Sequence, residues 1–139
     1  MQRTFDLDRA NALLPALRAA LRQSAQLAVQ LRALTRKHGV DAPADIDDED
    51  ALAQATLLTE LWADEGRRLS RLGVLVRDRE DGHVDFPSVL DGEREVLLCW
   101  RVGETEVGHF HEVHGGCASR RSTSGHVFFD RRQLAPPRG

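Results

Sequence analysis

Residues 67–87, RRLSRLGVLVRDREDGHVDFP, decide the fold, because the spacing of their apolar side chains changes from helical to extended. Up to Leu72 the apolar positions recur at helical spacing, and we predict a helix from about Ala51 to Leu72 that stops at Gly73. From Val74 onward, short alternating runs flank the turn sequence Asp81-Gly82. The chain is therefore expected to change from helix to strand at Gly73.

A second long helix is predicted upstream. Apolar and small residues follow a three-four alternation from Leu13 to His38, which is typical of a helix packed along its length on another. Pro15 removes an amide donor inside this pattern, so we predict a short helical turn over residues 7–13, a kink, and then the main helix. Gly39 suits the position after that helix, where the chain must turn left-handed.

The downstream half is predicted to be a small antiparallel sheet. Strands are expected over Val74 to Arg77, His83 to Phe86, Glu95 to Val102 and Val107 to Glu112, with an edge strand near residues 126–129. Pro87 is expected to end the second strand. The predicted fold class is α+β in one domain: a long N-terminal antiparallel helical hairpin (5–73), a small antiparallel β-sheet (74–130) and a loose tail (131–139).

Composition limits the functional classes. The net charge of −3 and a pI near 6.1 provide no cationic field, so neither nucleic acid nor a membrane is expected as a partner. Two cysteines, Cys99 and Cys117, are too few for the disulfide framework of a small secreted domain. Acidic residues stand near the N-terminus where a signal peptide needs an apolar core, so a cytoplasmic location is predicted.

The length of the first helix favours self-association. At about 1.5 Å per residue this helix could reach roughly 40 Å, which is more than the small sheet can cover. An exposed seam of coiled-coil type would then remain. We therefore predict a homodimer through the helices, with a protein partner that supplies a helix as the alternative.

The candidate site is the run His109-Phe110-His111-Glu112-Val113-His114. If the preceding strand pairs through Val102 and Val107, His109 and His111 face Trp100 and Leu98 on the apolar side of the sheet. A slip of one residue would send both histidines to the opposite face.

Three imidazoles within six residues could hold zinc or iron, and Glu65, Glu112 or Cys117 could add a fourth ligand or a base. The alternative interpretation treats His109 as a packed, hydrogen-bonded histidine beside Trp100. Glu65 interrupts the apolar stripe of its helix, and the favoured interpretation is that it lies at the edge of the stripe with its carboxylate in water.

Four segments stand out in order along the chain: FDLDRANALLP (5–15), GHVDFP (82–87), EVLLCWR (95–101) and FHE (110–112). Together they resemble the bacterial family known as domain of unknown function 2203, over roughly residues 5 to 121. The resemblance implies a helical N-terminal half and a sheet-containing C-terminal half, and it implies no activity. His111 and Glu112 match the family pattern, whereas His109 and His114 look particular to this chain.

The sequence therefore predicts transition-metal binding, to zinc or iron, through His109, His111 and His114 with Glu65 or Glu112 assisting. The competing hypothesis is a helical-hairpin module for dimerisation or protein interaction, without metal or catalysis. Enzymatic activity is left open by both.

Overall fold

The computed structural model describes residues 2–134. A short helix α1 (Leu7–Ala12) precedes two long helices, α2 (Leu14–Lys37) and α3 (Glu49–Arg71). The strands that follow are β1 (Leu75–Asp78), β2 (His83–Leu90), β3 (Arg94–Arg101), β4 (His109–Glu112), β5 (Arg121–Ser122) and β6 (Phe128–Phe129). Short 3-10 turns cover Pro43–Asp45, Cys117–Ser119 and Arg131–Leu134. Helices in the N-terminal half followed by an antiparallel sheet are thus confirmed.

The predicted break near Pro15 is confirmed. α1 ends before Leu13, and Pro15 lies in the first turn of α2, where its missing N–H would have had no helical acceptor. The Asp6 carboxylate caps α1 by accepting the Arg9 amide at 2.7 Å. Gly39 follows α2 with φ of 65°, the left-handed conformation expected there.

The connection between α2 and α3 is more structured than a simple hairpin loop. It contains the 3-10 turn Pro43–Asp45, and Asp48 caps α3 by accepting the Ala51 amide at 2.9 Å. Buried Ile46 joins the end of α2 to the start of α3 in a small apolar cluster. The helical half therefore differs in detail from the predicted hairpin, since α1 is a separate helix and a 3-10 turn stands in the connection.

All pairings in the sheet are antiparallel, in the order β1-β2-β3-β4-β5, and β6 pairs with β2. The centre is the pair of eight-residue strands β2 and β3, which run in register from His83 opposite Arg101 to Leu90 opposite Arg94. The predicted edge strand near residues 126–129 corresponds to β6.

Pro87 lies inside β2, so the prediction that it ends this strand is wrong. Its carbonyl accepts the Phe5 amide at 2.7 Å, which shows that the side lacking an N–H faces the N-terminal segment rather than β3. β1 pairs with β2 only as far as Asp85, and β6 only from Val89 onward. Among the strands within residues 2–134, none therefore needs a donor at Pro87.

One face of the sheet packs against the helices and forms the main core. Trp100 is fully buried there, and its indole N–H donates to the Glu104 carbonyl at 3.0 Å, so the ring is buried without losing its hydrogen bond. The helices and strands contribute to this core Leu14, Leu17, Leu21, Leu69, Val84, Phe86, Leu98 and Phe110.

Asp130 ties the two ends of the described chain together. Its buried carboxylate accepts the Thr4 hydroxyl at 3.1 Å, an Arg9 guanidinium N–H at 2.8 Å and the Arg132 amide at 3.0 Å. The Arg132 guanidinium also donates to this carboxylate at 2.8 Å, and this bond first, then the Arg132 amide and the Thr4 hydroxyl, lower the pKa of Asp130 to about 2. The first part of the predicted loose tail is thus the 3-10 turn Arg131–Leu134, and residues 135–139 lie outside the described residues.

Candidate functional site

The strand that carries the histidine run pairs one residue out of the predicted register. His109 lies opposite Cys99, and His111 lies opposite Leu97. The prediction that His109 and His111 face Trp100 and Leu98 is therefore wrong. Because side chains alternate along a strand, both histidines belong to the face of the sheet that turns away from the helices.

The loop between β3 and β4 explains the shift. β3 ends at Arg101 and β4 begins at His109, so the connection is longer than the four residues that the sequence pattern indicates. Glu104 folds this loop, since its carboxylate accepts the Arg101 amide at 2.8 Å and its carbonyl accepts the Trp100 indole. Val107 leaves the ladder and is buried in the core instead.

The face opposite the helices collects polar side chains from three strands. β2 contributes His83 and Asp85, β3 contributes Cys99, which is the direct partner of Asp85, and β4 contributes His111. We refer to these four residues as the sheet-face cluster. All except His83, which is half-buried, are buried.

The polar atoms of the cluster converge. The Asp85 Oδ1 atom lies 3.2 Å from His111 Nε2 and 3.3 Å from His83 Nε2. The Cys99 Sγ atom lies 3.5 Å from the same His83 nitrogen. Within residues 2–134, the side chains of Asp85, Cys99 and His111 form one of two groups whose potential metal-ligand atoms all lie within 4.8 Å of one another.

Asp85 is held by a charged neighbour. Its second oxygen, Oδ2, accepts the Arg77 Nε–H at 3.0 Å, so one oxygen binds a guanidinium and the other faces the imidazoles. A carboxylate with 2% of its side chain exposed requires such partners, because burying an isolated charge is expensive. Arg77 therefore fixes the direction in which Oδ1 points.

The two nitrogens of His111 have different surroundings. Nδ1 lies 2.8 Å from the Glu112 carbonyl oxygen, which can only accept, so this nitrogen carries a proton and donates it. In the neutral imidazole, Nε2 then has a lone pair, and that lone pair faces the Asp85 carboxylate. Two facing acceptors at 3.2 Å require a proton or a metal cation between them.

A second thiol lies at the edge of the cluster. Cys117, in the 3-10 turn after β4, belongs to the second group of close ligand atoms, with His83 and Cys99. Burial, and then the neighbouring Cys117, raises the pKa of the Cys99 thiol well above its usual range, while Arg120 acts in the opposite direction. Arg120 is itself anchored to Glu104 at 3.1 Å.

Three of the six separations within the cluster suit a tetrahedral metal ion. Ligand atoms placed about 2.0–2.3 Å from zinc at tetrahedral angles lie roughly 3.3–3.8 Å from one another. The contacts at 3.2, 3.3 and 3.5 Å fall close to this range, whereas the four residues together are not a group whose ligand atoms all lie within 4.8 Å of one another. The donor set of one carboxylate, one thiol and two imidazoles is one that zinc and iron both use.

Of the five residues predicted from sequence, His111 alone belongs to the cluster. His109 is 37% exposed at its side chain, and its Nδ1 faces the Glu104 carboxylate at 3.6 Å. His114 is exposed, and its side chain makes no hydrogen bond or ion pair with another described residue. The structure therefore does not bring the three histidines together.

The two predicted carboxylates lie elsewhere. Glu112 binds Arg94 at 3.1 Å and Arg121 at 2.8 Å at the edge of the sheet. Glu65 lies 3.7 Å from Arg68, and only 12% of its side chain is exposed, so the expectation that its carboxylate lies in water is wrong. Of these two residues, Glu112 alone contacts the cluster, through its backbone carbonyl, which accepts from His111.

Sequence reasoning missed His83, Asp85 and Cys99 as members of a site. Their shared signal is position: His83 and Asp85 alternate with the core residues Val84 and Phe86, so they occupy the opposite face of β2. That alternation is visible in the segment GHVDFP, but which residues of β3 lie beside His83 and Asp85 depends on the β2–β3 register.

No helix in residues 2–134 is both long and apolar enough to cross a membrane. Comparison with curated proteins and with solved structures found no significant match. The family model described as "Uncharacterized conserved protein (DUF2203)" matches residues 3–123, which is most of the chain and includes every residue of the cluster. The chain therefore belongs to the uncharacterised DUF2203 family.

Proposed function

We propose that this protein binds a transition-metal ion, zinc or iron, in the sheet-face cluster. The observation that carries this proposal is the arrangement of His111, a buried imidazole whose Nδ1–H is held by the Glu112 carbonyl. Histidines that bind metals almost always donate their other ring N–H in this way, which aims the free nitrogen at the ion. Here that nitrogen, Nε2, is aimed at Asp85 and the cluster.

Four ligands are assigned. Asp85, Cys99 and His111 form the buried trio, and His83 completes it because its Nε2 contacts two of the three. Cys117 lies near Cys99 and His83 but outside the trio, so we leave it out of the ligand set. His109, His114, Glu65 and Glu112 are likewise left out, since their side chains face other partners or solvent.

Charge supports the assignment. A divalent cation with the Asp85 carboxylate and a Cys99 thiolate is neutral overall, whereas the metal-free cluster must hold Cys99 as a buried thiol of raised pKa. Arg77 then serves as the outer partner of the carboxylate, binding the oxygen that does not face the ion. Thiolate and imidazole together favour zinc, while two histidines with one carboxylate also suit iron.

The test is metal analysis and zinc titration of the full chain, purified without an affinity tag. We expect about one metal ion per chain, and a loss of affinity of roughly hundredfold or more in His111→Ala. The matched control is His114→Ala, an exposed histidine three residues away, which should bind as the unmodified protein does. Asp85→Asn, nearly identical in shape, repeats the test without opening a cavity.

Two results would reject the proposal. One is a metal content well below one per chain that neither zinc nor ferrous iron raises on titration. The other is unchanged binding in a folded His111→Ala protein together with weakened binding in His114→Ala, which would favour the sequence-based ligand set.

A second candidate function, a helical interaction or dimerisation module, is favoured by apolar side chains exposed on α2 and α3. Val29 is 58% exposed, Leu57 55% and Leu61 40%. Light scattering at high micromolar concentration tests this proposal: a dimer that Leu57→Glu dissociates supports it, and a monomer removes it. Metal binding and dimerisation are compatible.

A further inference from the structure

Cys99 and Cys117 lie eighteen positions apart in the chain, yet the fold brings their sulfur atoms within 4.8 Å of each other. Both are free thiols. Since a disulfide requires about 2.05 Å between the sulfurs, they must approach by roughly 2.8 Å at most. The β3 strand fixes one sulfur, and the short turn after β4 carries the other.

The two thiols differ in their access to solvent. Cys99 is fully buried between β2 and β4, whereas Cys117 is half-buried in a 3-10 turn that follows the exposed pair Gly115-Gly116. Gly116 lacks a side chain, which widens the range of backbone angles available to it, and the position that a Cβ atom would take is empty. An accessible cysteine beside a second, protected one is the usual arrangement of a peroxide-reactive pair.

The His83 ring lies next to the pair and contacts the Cys99 sulfur at 3.5 Å. The Arg120 guanidinium, bound to Glu104 at 3.1 Å, interacts with the Cys99 thiol.

We propose that Cys99 and Cys117 form a redox-active dithiol that small hydroperoxides oxidise to a disulfide. The Cys117 sulfur attacks the O–O bond, which gives Cys117 sulfenic acid and releases the alcohol or water. The Cys99 thiol then displaces hydroxide from that sulfur, which forms the S–S bond and releases one water. The dithiol loses two electrons, and the peroxide gains them.

The dithiol itself does not rest on the proposed metal site, but one consequence does. Cys99 is an assigned ligand, and a sulfur committed to a disulfide no longer offers a thiolate to a metal. Oxidation should therefore release the ion from a metal-loaded protein.

The first experiment uses the full chain, stripped of metal with a chelator and treated with a small excess of hydrogen peroxide. Intact mass measurement after alkylation should show a monomer about 2 Da lighter with no alkylated cysteine. Cys117→Ser should retain one alkylatable thiol, and Cys99→Ser should stop at a sulfenic acid that dimedone traps. Circular dichroism verifies that both variants fold.

The proposal is overturned if the folded protein keeps two alkylatable thiols after this treatment, if the disulfide forms only between chains, or if either cysteine gains oxygen without the 2 Da loss. It also fails if Cys99→Ser shows no reaction of Cys117.

The second experiment loads the protein with zinc and follows its release to a coloured chelator after peroxide addition. We expect one zinc released per disulfide, and release at least about tenfold slower in Cys117→Ser, which retains all four assigned ligands. Equal release rates would overturn the coupling. If zinc never binds but the disulfide forms, the metal proposal fails and the dithiol stands.

Discussion

The two faces of the sheet have the same strands but opposite chemistry. Val84, Phe86 and Trp100 face the helices and are fully buried, while their neighbours Asp85 and Cys99 face the other way and are equally buried. The first face is filled by apolar packing, whereas the second holds, beside buried Leu97, a carboxylate, a thiol and two imidazoles close together. Burial alone therefore does not distinguish core from site in this protein, whereas the chemistry of the buried atoms does.

The helix-facing residues act mainly on stability, and the residues of the sheet-face cluster act mainly on binding. Residues of the helix-facing side contribute through apolar area, at about 25 cal/mol per Å² removed from water. The polar residues of the sheet-face cluster contribute little to the free energy of unfolding, because buried polar groups do little better than offset their own desolvation. Substitutions on the helix-facing side should therefore lower stability more than substitutions in the sheet-face cluster.

Trp100→Ala should have the largest effect, with a loss of about 3–5 kcal/mol in the free energy of unfolding, since it removes the biggest fully buried side chain of the helix-facing side. Urea denaturation followed by circular dichroism measures this loss. Val102→Ala, two residues along the same chain and 49% exposed, is the control and should cost less than about 0.5 kcal/mol. A similar cost for both variants would contradict the assignment of this face as the core.

Asp130→Asn should cost roughly 2 kcal/mol at neutral pH, because the pKa of Asp130 is lowered from 3.8 to about 2 in the folded protein. A folded-state pKa below the unfolded one stabilises the protein above about pH 4. That contribution is lost as the pH falls towards 2, so the difference between variant and unmodified protein should shrink there.

Urea denaturation of both proteins at a series of pH values measures this difference. Asp47→Asn, at an exposed carboxylate, is the control and should show no such pH dependence. The carboxylate of Asp130 accepts hydrogen bonds from Thr4, Arg9 and Arg132, none of which belongs to the sheet-face cluster, so metal binding should be unaffected by Asp130→Asn. A pH-independent difference would contradict the assigned pKa.

Gly82→Ala should cost about 1–2 kcal/mol in the free energy of unfolding. Gly82 has φ of 72° in the turn before His83, and a Cβ atom there would overlap the Val102 side chain. Thermal unfolding measures the cost. Gly116→Ala, at a glycine with open space and extended backbone, should change stability by less than about 0.5 kcal/mol. Equal effects would show that the turn is not under the constraint described.

His114→Ala should have the smallest effect, below about 0.5 kcal/mol in the free energy of unfolding, because its side chain is exposed. Zinc affinity, measured by titration, should also stay unchanged. A drop in zinc affinity of tenfold or more would indicate that the metal binds the histidine run at residues 109–114 rather than the sheet-face cluster.

Local features of the fold could be predicted from the sequence because their causes lie within a few residues. Pro15 marks the start of α2 and Gly39 marks its end, and each acts through its own backbone. The prediction that Pro87 ends its strand is wrong because the effect of a proline depends on what lies beside it. Here its neighbour is the N-terminal segment, which is distant in the chain.

The candidate site was harder to predict because it is defined by register. His111 can be identified as a candidate from its own sequence context. Its neighbours cannot, because a shift of one residue at the β3–β4 connection places it opposite Leu97 and near Cys99 instead of opposite Leu98. His83 and Asp85 reach the cluster through the β2–β3 ladder. The spacing of histidines within one strand carries no information about these other strands.

The absorption spectrum of the protein loaded with cobalt(II) tests the sheet-face metal site, because cobalt(II) substitutes for zinc and reports thiolate ligands through a charge-transfer band in the near ultraviolet. We predict that this band is present in the unmodified protein and in His114→Ala, and is lost in Cys99→Ser. Cobalt bound without the band, or a band that survives Cys99→Ser and disappears in His114→Ala, would contradict a metal site on the sheet-face cluster.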